Sequence, residues 1–106
     1  MHYKRRHSMN KQELLDKISQ LEQAANQMNE PDKTFKLTDV SLLKIAVEGQ
    51  AISDIAQKMG SIELPKIQEM ENGIQVATQA ISSHAQRADA FNKAYGIIKS
   101  AIGLAL

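Results

Sequence analysis

Residues 67–105, "IQEMENGIQVATQAISSHAQRADAFNKAYGIIKSAIGLA", decide how the chain is read. Ile67, Ile74, Ile81, Ala88, Tyr95 and Ile102 recur every seven residues, and Met70, Ala77, His84, Phe91, Ile98 and Ala105 repeat the pattern three residues later. Apolar residues spaced alternately by three and four return to one face of a helix, and only His84 departs from the rule. The pattern predicts one long C-terminal helix of about 36 residues, or ~54 Å at 1.5 Å per residue. Asn72-Gly73 near its start predicts a bend, because a glycine inside a helix costs about 1 kcal/mol relative to alanine.

Two shorter helices are predicted before it. Asn10 and Glu13 have the spacing of a capping box, and Leu14, Ile18, Leu21, Ala25 and Met28 form a stripe reaching about Asn29. Pro31 disfavours helical geometry in the residue before it, so the helix ends there. Thr38 is placed to cap a second helix, with Leu37 and Leu42 as its hydrophobic staple. The apolar face of that helix reads Leu42, Ile45, Ile52, Ile55, Ala56 and Met59, with a stop at Gly60-Ser61. Pro65 suits the first turn of the third helix, where its missing N–H is no loss. The fold class is therefore all-α, a helical hairpin or three-helix bundle with a long heptad-patterned C-terminal helix.

The 106 residues suit one domain, and 42% hydrophobic with 24% charged residues matches a folded chain. With no cysteine there is no disulfide framework, thiolate nucleophile or Cys-based zinc site. Charge is uneven: residues 1–12 carry Lys4, Arg5, Arg6 and Lys11 with no acid, while the remainder carries more acids than bases. We read residues 1–9 as a basic arm that does not fold and residues 10–106 as a single helical domain. The arm's cations, with Lys11, could bind phosphate backbones weakly and without specificity. No apolar run approaches the roughly 20 residues needed to span a bilayer, and the start lacks a secretory apolar core, so a cytoplasmic location is favoured.

The stretch "LTDVSLLKIAVEGQAISDIAQKMG", residues 37–60, resembles the helix-turn-helix of response-regulator and sigma-factor families. The resemblance rests on Leu37-Thr38, Glu48-Gly49, Ile55-Ala56 and Gly60, and covers about a quarter of the chain. It implies a nucleic-acid-binding regulator using a degenerate motif at 38–72 plus the basic arm. Residues 61–72 oppose that use, since Glu63, Glu69 and Glu71 face phosphates with only Lys66 to offset them.

Reactive arrangements are not found. His2 and His7 flank the basic run without forming a ligand set with His84. Ser82-Ser83-His84 lacks a nucleophile elbow, and neighbours on a helix point apart. Glu69 and Glu71 do not share a helix face, so no acid–base pair forms. The sequence thus predicts a protein that is not an enzyme and has no cofactor. It reads as a small assembly subunit, adaptor or chaperone-like helper pairing with itself or another helical protein. The two shorter helices leave part of the long seam uncovered, which makes Phe91, Tyr95, Ile98 and Ile102 its expected contact surface.

Overall fold

The structure, a computed structural model, describes residues 9–79 and 81–104. Five helices follow one another: α1 (Lys11–Asn26), α2 (Asp32–Glu48), α3 (Ile52–Gly60), α4 (Leu64–Thr78) and α5 (His84–Ile102). The all-α bundle expected from the pattern is what the chain forms.

Helix α1 begins where the sequence places it. The Asn10 side chain accepts from the Glu13 N–H at 2.8 Å while the Asn10 N–H donates to the Glu13 carboxylate at 3.0 Å. This satisfies two donors that the first turn would otherwise leave open. Met9 and Leu14 hold the staple positions on either side of this cap, and both are buried. Met9 therefore belongs to the core and not to the arm, which shortens the predicted 1–9 segment to residues outside the described chain.

The second predicted helix is two helices. Helix α2 starts six residues before Thr38, and Glu30 serves its first turn by accepting from both the Thr34 N–H (3.0 Å) and the Thr34 hydroxyl (2.7 Å). These bonds favour the ionised Glu30 carboxyl and hold its pKa below the usual carboxylate value. Thr38 is no cap: its hydroxyl donates back to the Thr34 carbonyl within the helix. The chain leaves α2 at Gly49 and re-enters helix after extended Ala51.

The long helix is also two. Gln79 is extended, Ile81 stands 93% exposed in the turn, and Ser83 and Gln86 form a second capping box that starts α5. The longest dimension of the molecule, 44 Å, is shorter than the ~54 Å that a continuous helix would need. Folding back packs α4 against α5 and also against α1, and Ile67, Met70, Ile74 and Ala77 are buried there within the single chain.

Close approach in this hairpin depends on small residues. A side-chain Cβ at Gly73 would lie 2.8 Å from the Ala90 carbonyl oxygen and 3.4 Å from the Ala94 Cβ. Gly73 is thus no hinge. It lies in the interior of α4 with a negative φ, and its missing side chain admits the α5 backbone.

Helix α5 is the centre of the bundle, packed against the other four helices, with Phe91, Ala94, Ile98 and Ile102 buried. Two lysines gather helix ends around Gln50. Lys11 donates to the Glu48 and Gln50 carbonyls (3.2 and 2.7 Å), and Lys58 donates to the Gln50 side chain (2.6 Å) and the Ile102 carbonyl (3.3 Å). Cations at these C-terminal carbonyls satisfy acceptors that a helix end leaves open.

Candidate functional site

The sequence places the contact surface on α5, and the structure moves it. Phe91, Ile98 and Ile102 are fully or almost fully buried within the single chain, so they offer no surface to a partner. Tyr95 is half-buried at their edge, with its ring stacked on Phe91 at 6.3 Å between centroids. Its phenol is held above the ordinary tyrosine range, first by burial and then by the nearby Asp39 carboxylate. The expected overhang is absent because the seam folds onto itself, leaving no surplus length to cover.

Of the face expected for the second helix, Ile55 and Met59 are buried, now in α3, and Ala56 is partly covered, but the other three residues lie outside the core. Ile45 is 66% exposed, Ile52 69% and Leu42 37%, while Val40, Leu43 and Val47 provide the buried face of α2. Phe35, which falls in the first turns of α2, is 64% exposed. Phe35, Thr38, Leu42 and Ile45 are spaced 3-4-3, so they form one seam along the side of α2 turned away from the core.

Thr34 and Ser41 complete the outward face, and all six residues are exposed and uncharged, with the Glu30 carboxylate beside Thr34 as the charge at its N-terminal end. The charges of α2 lie elsewhere around the helix. Lys36 turns to α5, where it donates to Asn92 at 2.9 Å and stands 5.5 Å from the Phe91 ring. Asp39 lies beside Tyr95, and Lys44 and Glu48 fall on the opposite margin at 100° per residue. A surface helix ordinarily turns charged residues to solvent opposite its core stripe. Here α2 has two apolar faces, one buried and one open.

The helix-turn-helix resemblance fares differently in geometry than in sequence. Helices α3 and α4 follow one another with a short turn, yet α3 rests on α5 and α1 and touches α4 and α2 only marginally. The close crossing of two helices that the motif requires is not formed. Its cations are engaged as well: Lys58 holds Gln50 and Ile102, and Lys66 lies 3.5 Å from Glu69. Of the arm's cations, Lys4, Arg5 and Arg6 lie outside the described residues, and Lys11 is bound to the end of α2.

A shallow groove of about 470 Å³ runs between α4 and α5, lined among others by Ile62, Lys66, Glu69, Lys93 and Gly96. Glu69 is flanked by Lys66 (3.5 Å) and Lys93 (3.9 Å), an arrangement suited to an ion-pair cluster and not to proton transfer. His84 leaves the seam: it is the first residue of α5, exposed, 3.4 Å from Asp32 at the start of α2. Among the described residues, no three His, Asp or Glu side chains gather as metal ligands, and no helix is long and apolar enough to cross a membrane. No family model, curated protein or solved structure matches the chain.

Proposed function

We propose that this chain is a non-enzymatic helical interaction module that docks a partner through the outward face of α2. The observation that carries this reading is a charge-free seam, Phe35, Thr38, Leu42 and Ile45, on a helix whose other face is already in the core. Fully burying a Phe or Ile side chain is worth about 1.5–3 kcal/mol, so covering two that are each two-thirds exposed supplies a driving force for association. The 3-4-3 spacing matches the holes of a second helix, which makes a helix the fitting partner.

The reading is tested by photo-cross-linking in the host cell. A photoreactive phenylalanine analogue at position 35 or 45 is expected to yield a discrete adduct, whereas the same analogue at exposed Gln20 on α1 yields none. Equal labelling from all three positions, or none from 35 and 45, would overturn it.

A further inference from the structure

We infer that the occupant of the α2 face is the same face of a second copy of this chain, paired antiparallel across a two-fold axis. The inference rests on α2 being the docking face and adds the identity of the partner. Positions 35, 38, 42 and 45 are symmetric about position 40. An antiparallel copy whose axis passes at the level of Val40 therefore brings Phe35 against Ile45 and Thr38 against Leu42 of the other copy. Each layer sets a larger side chain on a smaller one and fills evenly. A parallel pair would stack Phe35 on itself and Thr38 on itself, leaving one layer crowded and the next underfilled.

Electrostatics agrees with this occupant. A partner helix with charge along its centre would have to bury it against Phe35, Thr38, Leu42 and Ile45 without a counter-ion, at a desolvation cost. The seam itself has no such charge: Lys36 is tied to Asn92, Lys44 and Glu48 lie on the margin, and the Glu30 carboxylate stands at the Thr34 end.

Area sets the strength. The 17-residue α2 is about 25 Å long at 1.5 Å per residue. A strip one helix wide on each copy buries well under the ~800 Å² per partner of a standard interface. The pair belongs to the weak, low-area class, which agrees with a monomer whose core is complete and, among the described residues, leaves no buried side-chain polar atom unpaired.

The experiment uses the full chain in sedimentation velocity from low micromolar to about 1 mM. The mass should rise toward twice the monomer with concentration. Ile45→Asp and, separately, Phe35→Asp should raise the dissociation constant at least tenfold while the circular dichroism spectrum and melting curve stay unchanged.

Orientation is read with cysteine reporters, since the chain has none of its own. Thr34→Cys mixed with Glu48→Cys, which lies on the same flank and only two residues, about 3 Å, from level with it across the axis, should cross-link on mild oxidation. Thr34→Cys alone should not, because its twelve-residue offset across the axis is about 18 Å along the helices, beyond disulfide reach. A monomer throughout, or association indifferent to both aspartates, overturns the inference. Cross-linking of Thr34→Cys alone as efficient as in the mixture overturns the antiparallel arrangement. A photo-adduct from position 35 whose mass is not twice that of the chain rejects the second copy yet keeps the docking face. No adduct at all removes both.

Discussion

Helices α2 and α5 have similar lengths and similar shares of apolar residues, yet they use them in opposite ways. Helix α5 sits among the other four and concentrates its large apolar side chains on the buried side, with Asp89, Asn92, Lys93, Gly96 and Ser100 turned out. Helix α2 lies at the edge of the bundle against α1 and α5, and divides its apolar residues between a buried set, Val40, Leu43 and Val47, and an exposed set, Phe35, Leu42 and Ile45. Apolar content alone does not tell a core helix from a docking helix. What separates them is whether the second face is charged.

The sharpest way to break this comparison is to remove one phenylalanine from each helix. Phe91→Ala should destabilise the fold by about 3–5 kcal/mol, the range for a fully buried aromatic ring, measured by denaturant unfolding. Phe35→Ala should change monomer stability by less than about 0.5 kcal/mol at a dilution where only the monomer is present. Similar losses at both sites would mean that the outward face of α2 is part of the folding core.

Two glycines sharpen the account of α5 as the centre. Gly73→Ala should destabilise by about 1–3 kcal/mol, since the added carbon meets the Ala90 carbonyl at 2.8 Å and overpacking outweighs the gain in helix propensity. A rise in the denaturation midpoint would contradict the close hairpin. Gly96→Ala is the smallest effect and of opposite sign. Beyond its own helical turn, no atom lies within 4 Å of the added carbon, and the backbone is helical, so stability should increase by up to about 1 kcal/mol.

Much of this architecture was legible in the residues. The Asn10–Glu13 box, the stripe of α1 and Pro65 in the first turn of α4 all act as their spacing indicates. The break at residues 79–83 was legible too, through Ser83 and Gln86 at capping-box spacing. It was hidden because the seven-residue period happens to stay in phase across the turn, so Ile81 continues the pattern while standing in solvent.

The site was less legible. Helix α2 carries two overlapping stripes, and periodicity gives the spacing of a face without saying which face meets the core. A helix start at Thr38 leaves Phe35 outside the helix, although Pro31-Asp32 is itself a helix-start signal. The contact surface expected on α5 is buried for a related reason: an unbroken seam of that length requires an outside partner, whereas a hairpin within the bundle does not.

The lysine pair at Gln50 has a consequence for how the molecule opens. Lys58 belongs to α3 and holds the last carbonyl of α5, while Lys11 belongs to α1 and holds the last carbonyl of α2 and that of Gln50 just beyond it. Helix α3, nine residues long with only Ile55 and Met59 fully buried, is the least anchored element by packing. Swinging it away breaks the Lys58 bond to the Ile102 carbonyl, which couples the opening of α3 to fraying at the last turn of α5.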